Sequence, residues 1–199
     1  MKSDVVEIKP VRNPDAVITV PGSKSYTQRA LVIAALAQGE SVLLNALIAE
    51  DTLILVEALQ RFGADITVAE GRIHVKGTGG RIENPGTEIS LGNNGTAMRL
   101  LLSVAALGKG DCVLTGGPRL RERPVQPLID ALAQIGADAK SLGANGCPPV
   151  LVRGNGLRGG HAVLENIESS QFISSLLIAA PFAEHDTCIE VRGNIPSRP

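Results

Sequence analysis

Aromatic side chains are nearly absent from this chain of 199 residues: it has one Tyr, three Phe and no Trp. Its core must be built from Ala, Val, Leu and Ile, and the stacking platforms that single-stranded nucleic acids need are missing. Charge is balanced, with 19 Lys and Arg against 20 Asp and Glu, so a surface that tracks nucleic-acid phosphates is not expected. Only three cysteines occur, without CxxC spacing, which argues against a disulfide framework or a zinc site. Cys112 and Cys188 stand at matching strand positions and are expected to be small buried hydrophobes. No apolar run approaches the roughly 20 residues that span a bilayer. The start, Met1-Lys2-Ser3-Asp4-Val5, does not read as a signal peptide. A soluble cytoplasmic protein is the expectation.

Several chemistries lack their residues. There is no G-x-x-x-x-G-K-[ST] loop and no G-x-S-x-G elbow. His74, His161 and His185 are scattered, so no metal cluster is expected. The glycine-rich stretches Gly77-Thr78-Gly79-Gly80 and Gly154-Asn155-Gly156 read as strand turns.

What is present is a repeated turn. Three strand-like runs end in small polar segments that open into apolar helices: Pro21-Gly22-Ser23-Lys24-Ser25, Leu91-Gly92-Asn93-Asn94-Gly95-Thr96 and Ile167-Glu168-Ser169-Ser170-Gln171. Their spacing of roughly 70–75 residues marks an internal repeat. Free N–H groups and hydroxyls at the positive end of a helix dipole make an anion site. Lys24 and Arg29 on the first helix, and Arg99 on the second, add cations. A small ligand with several negative charges is the expected occupant.

Each repeat continues alike. The apolar helices starting near 24, 96 and 171 are rich in Ala, Leu, Val and Ile nearly all round and are expected to be buried. Second helices ending in Leu59-Gln60-Arg61-Phe62-Gly63-Ala64-Asp65 and Leu132-Ala133-Gln134-Ile135-Gly136-Ala137-Asp138 are amphipathic, with Gly as a left-handed cap. Short strands follow, such as Ile66-Thr67-Val68 and Ile73-His74-Val75. One unit reads strand, helix, strand, helix, strand, strand. The third breaks off after its second strand, so the chain is expected to be the front part of a longer protein.

Two loops stand between a second strand and a second helix. In the middle unit, Arg119-Leu120-Arg121-Glu122-Arg123-Pro124 places Arg123 at a helix entrance, with Pro124 expected in the first turn. Arginine there suits carboxylate or phosphate. The first unit has Glu50-Asp51-Thr52, where Asp51 is expected to cap the helix.

Together the segments Pro21–Ser25 with Arg29, Leu91–Arg99, Arg121–Pro124, Ser169–Phe172 and Ile195-Pro196-Ser197-Arg198-Pro199 resemble the signature stretches of 5-enolpyruvylshikimate-3-phosphate synthases. The resemblance runs along essentially the whole chain, in order. It implies two globes, each an inside-out α/β prism of three βαβαββ units with three-fold pseudo-symmetry. The first globe would hold units at about 21–86, 87–159 and an incomplete 160–199, with residues 1–20 belonging to the second globe.

The resemblance further implies transfer of an enolpyruvyl group from phosphoenolpyruvate to the 5-hydroxyl of shikimate 3-phosphate. Lys24 and Arg123 would be the catalytic residues present. Lys24, Ser25, Arg29, Ser169, Ser170, Gln171 and Ser197 would bind shikimate 3-phosphate, and Lys24, Gly95, Arg123 and Gln171 phosphoenolpyruvate. No cofactor, metal, nucleic acid or membrane is implied. The acid/base carboxylates would lie in the second globe, leaving this chain inactive alone and the full-length enzyme a monomer. Glyphosate inhibits this family in the phosphoenolpyruvate site.

Two departures from the family pattern concern residues near the site. Tyr26-Thr27-Gln28 replaces the Val/Ile-Ser-Asn/His of many members, and Leu100 follows Arg99 where some bacterial members have Pro. Two rivals can be weighed. UDP-N-acetylglucosamine enolpyruvyl transferases carry a reactive Cys in the loop that here reads Arg119–Glu122, and Asn where Ser25 stands. A non-catalytic prism module related to RNA-phosphate cyclases fits poorly with neutral charge and few aromatics.

Overall fold

The computed structural model describes residues 6–196. Five α-helices and nine strands alternate along them, in three separate sheets rather than one doubly wound sheet. Helix α1 (Lys24–Leu36), strand β1 (Gln38–Leu43), α2 (Glu50–Arg61), β2 (Asp65–Ala69) and β3 (Arg72–Thr78) come first. Next are β4 (Glu88–Ser90), α3 (Gly95–Leu107), β5 (Lys109–Thr115), α4 (Gln126–Gln134), β6 (Asp138–Ser141) and β7 (Val150–Asn155). Strand β8 (Gly160–Glu165), α5 (Gln171–Ala179) and β9 (Thr187–Arg192) complete the order.

The sheets repeat one plan. β3 lies between β1 and β2, as β7 lies between β5 and β6, and all four pairings are antiparallel. The edge strands β4 and β8 pair in parallel with β5 and β9. The strand expected ahead of α1 does not form: residues 17–20 have no ladder partner, and Val17, Ile18 and Val20 are exposed.

Helix α3 occupies the centre. Leucines, alanines and Val104 cover it nearly all round, and it packs against both α1 and α5. The expectation of equal burial fails for its two neighbours, because Ile33 of α1 and Leu177 of α5 are exposed. For α5 the cause is thin strand coverage: β7 packs on α3 and β3 on α1, whereas β9 makes the main strand contact with α5. Gly77 and Gly154 do more than turn a strand: a Cβ on either would strike carbonyls in the last turn of α1 or α3. Glycine lets strand and helix meet there.

Helices α2 and α4 are amphipathic, burying Leu55, Val56 and Leu59, and Leu128, Ile129 and Leu132. Both end in the same Schellman cap. Gly63 and Gly136 have φ of 102° and 99°. Ala64 N–H donates to the Leu59 carbonyl at 3.1 Å and Ala137 N–H to that of Leu132 at 3.0 Å. Of the two strand cysteines expected to be buried, only one is. Cys112 is buried, but Cys188 is exposed on β9, which has a ladder partner on only one edge among the described residues.

Candidate functional site

The starts of α1, α3 and α5 come together at one end of the three-helix core. Ser23 caps α1, its hydroxyl accepting from the Tyr26 N–H, and Asn94 caps α3, its Oδ1 accepting from the Ala97 N–H at 3.0 Å. At α5 the hydroxyl of Ser169, rather than that of Ser170, accepts from the Gln171 N–H at 3.2 Å. The Ser170 hydroxyl makes no cap bond.

Between α1 and α5 lies a cleft of about 420 Å³, lined by Ser25, Tyr26, Arg29, Ser169, Ser170 and Gln171. Five of these residues were expected to share one ligand, and the fold brings them together across nearly the whole length of the chain. Arg29 is held in place by donating to the Ser174 hydroxyl at 3.0 Å and to the Ser25 carbonyl at 3.2 Å. Ser197, also expected here, lies outside the described residues.

The second cluster surrounds the start of α3. The ideal Cβ position of Gly95 is 2.9 Å from an Arg123 guanidinium nitrogen and 3.8 Å from one of Arg99. Arg99 donates to Gln171 Oε1 at 2.6 Å and its guanidinium stacks 5.1 Å from the Phe172 ring centre. Gln171 Nε2 in turn donates to the Thr96 hydroxyl at 2.9 Å. Burial, followed by the nearby Arg123 charge, lowers the pKa of Arg99, with Glu168 opposing both. Its Nε is buried without a partner. Two neighbouring guanidiniums with spare donors create a site that favours an anion.

Lys24 forms the third part. Its Nζ donates to Asp51 Oδ2 at 2.9 Å. The expectation that Asp51 caps α2 is therefore incorrect. Ala49 holds the cap position without a side-chain bond, and Asp51 sits inside the first turn. Pro124 is likewise outside its helix; α4 starts at Gln126 and Pro127 occupies its first turn. Arg123 is positioned instead by a turn, its N–H donating to the Leu120 carbonyl at 3.1 Å.

Sequence reasoning missed Asn94, Thr96 and Ser174 as positioning groups. Each bonds a residue distant in sequence, and only the folded arrangement reveals that. Asp51 did carry a signal, as an acid in the loop equivalent to the one bearing Arg123. Among the described residues no group of three or more His, Cys, Asp or Glu could hold a metal, and no helix is long and apolar enough to cross a membrane.

Comparison with known proteins identifies the family. The family described as EPSP synthase (3-phosphoshikimate 1-carboxyvinyltransferase) matches residues 8–199. The 3-phosphoshikimate 1-carboxyvinyltransferase of Methanothermobacter thermautotrophicus is 50% identical over 188 residues, covering 94% of this chain and 44% of the relative. That of Shewanella amazonensis is 40% identical over 199 residues, covering 98% and 46%. The solved EPSP synthase from Acinetobacter baumannii superposes with a TM-score of 0.80 at 31% identity, covering 92% of this chain and 41% of that one. The chain thus spans a little under half the length of the curated relatives it matches. By sequence and by fold, it belongs to the EPSP synthase family.

Proposed function

We propose that this chain supplies one half of an active site that transfers the enolpyruvyl group of phosphoenolpyruvate to the 5-hydroxyl of shikimate 3-phosphate. The observation that carries the reading is the convergence of three helix starts. Ser25, Arg29, Ser169, Ser170 and Gln171 line one cleft, and Arg99 and Arg123 flank Gly95 beside it. The substrate pair carries two phosphates and two carboxylates, which suits so many donors.

In this reading Ser25, Arg29, Ser169 and Ser170 hold shikimate 3-phosphate, and Gly95, Arg123 and Gln171 hold phosphoenolpyruvate, with Lys24 touching both. The 5-hydroxyl oxygen loses its proton and bonds to C2 of phosphoenolpyruvate while C3 gains a proton. The tetrahedral intermediate then loses a C3 proton and expels phosphate, restoring the double bond. Lys24 and Arg123 act by stabilising the charge of that departing group. The proton-transfer groups belong to the remainder of the enzyme.

We also assign residues 1–20 to a second globe. In support, residues 6–20 form no helix or strand, and Val6, Ile8, Val11, Val17, Ile18 and Val20 all face outward. A full-length, monomeric cytoplasmic enzyme completes the proposal. The test is turnover: the full-length protein should release phosphate from the two substrates, and the 199-residue chain should not. Crystals grown from phosphate or sulfate should hold an anion among Ser25, Ser169 and Ser170. A full-length protein inactive with this pair would overturn the reading.

A further inference from the structure

We propose that Asp51 is a positioning residue, holding the ammonium of Lys24 in the orientation required for turnover. The inference rests on the reading of Lys24 as a substrate ligand.

A carboxylate beside an anion site weakens anion binding, so its presence needs a reason. Stability does not provide one. The Lys24 and Asp51 side chains are 53% and 30% exposed, and a pair this accessible adds little to folding. Geometry provides a better one. Asp51 stands in the first turn of α2, where its backbone is rigid and the helix dipole favours its charge. Its carbonyl accepts from Asn94 Nδ2 at 2.8 Å, while Asn94 Oδ1 caps α3. Asn94 is buried and is followed by Gly95, the close neighbour of Arg123.

A second strap runs alongside. The Leu47 N–H donates to Thr27 Oγ1 at 2.9 Å, and Thr52 Oγ1 donates to the Leu47 carbonyl at 2.7 Å. The starts of α1, α2 and α3 are thereby fixed together, with Asp51 at the junction. Lys24 has a long flexible stem, and a carboxylate 2.9 Å away restricts its ammonium to one small region. Such orientation is worth much in a reaction whose barrier depends on placing charge.

The test uses the full-length enzyme and compares the parent with Asp51→Asn and Asp51→Glu. Asp51→Asn should lower kcat by roughly 10- to 100-fold, the scale of small misplacements in an active site. The KM for phosphoenolpyruvate should stay level or fall, because a repelling charge has gone. Asp51→Glu keeps the charge and should retain more kcat than Asp51→Asn. The melting temperature should fall only slightly, since an exposed pair and a first-turn carboxylate contribute little. Parent-like kcat in Asp51→Asn would overturn the inference. So would a loss of kcat that follows a loss of melting temperature, or an Asp51→Glu variant no better than Asp51→Asn. A parent enzyme inactive with both substrates would instead reject the underlying role of Lys24, and this inference with it.

Discussion

A Cβ placed on Gly95 would stand 2.9 Å from the Arg123 guanidinium, closer than real side chains come. The start of α3 and the cation of the following loop are therefore close neighbours, and a methyl at position 95 displaces the guanidinium. Folding does not oppose a methyl here, since Ala is favoured over Gly in helices by about 1 kcal/mol. The cost falls on Arg123, which must shift. In the full-length enzyme Gly95→Ala is expected to raise the KM for phosphoenolpyruvate and to raise the inhibition constant of glyphosate by a larger factor. The longer inhibitor needs the space the methyl takes, and one clash is enough to discriminate. Steady-state kinetics with and without glyphosate decide it. Equal factors would mean that position 95 serves anion binding in general.

Lys24→Ala and Arg123→Ala should each reduce kcat/KM by at least about 100-fold, the scale for removing one preorganised charge-stabilising group. Single-turnover measurements of phosphate release separate this from slow product release. Near-parental rates in either variant would remove that residue from its catalytic role.

Local pattern made much of the fold legible. The 3.6-residue period of α2 and α4, their Gly63 and Gly136 caps, and the alternation in Ile73-His74-Val75 are signals within a few residues. The repeated turns likewise carry Ser25, Arg29, Ser169 and Ser170, which line one cleft. Signals that depend on partners were not legible. Val17 and Ile18 have a strand's composition but no ladder partner among the described residues. Cys188 matches Cys112 in sequence position, yet it is exposed on β9. Asp51 has the composition of a cap, but Lys24, 27 positions earlier, claims its carboxylate. The bond between Arg99 and Gln171 joins residues 72 positions apart, and no local rule connects them.

Thiol reactivity should separate the three cysteines of the 199-residue chain. Burial, with a smaller push from Asp111, raises the Cys112 pKa from 9.0 to about 11, and burial also raises that of Cys147. A thiol reagent at pH 8 should therefore modify Cys188 rapidly and the other two only on unfolding. The Cys112 shift also has a consequence for stability. Its folded-state pKa is raised, so the folded chain keeps a proton that the unfolded chain releases between about pH 9 and 11. Stability is complete below that window and declines as pH rises through it. A Cys112→Ala variant should show a shallower decline in melting temperature from pH 9 to 11. An equal slope in both proteins would mean that another group governs the alkaline limb.

Gln28 lies one helical turn beyond Lys24, is 0% exposed, and has no partner for either its Nε2 or its Oε1. A buried amide left unpaired costs about 1–3 kcal/mol. Methionine has nearly the same length and no group to satisfy, so Gln28→Met should raise the folding stability by an amount within that range. Gln28→Ala would also remove the amide but leave a cavity, which offsets the gain. Methionine should therefore be the more stabilising of the two, as read from the midpoint of urea unfolding. A lower midpoint for Gln28→Met would overturn this expectation.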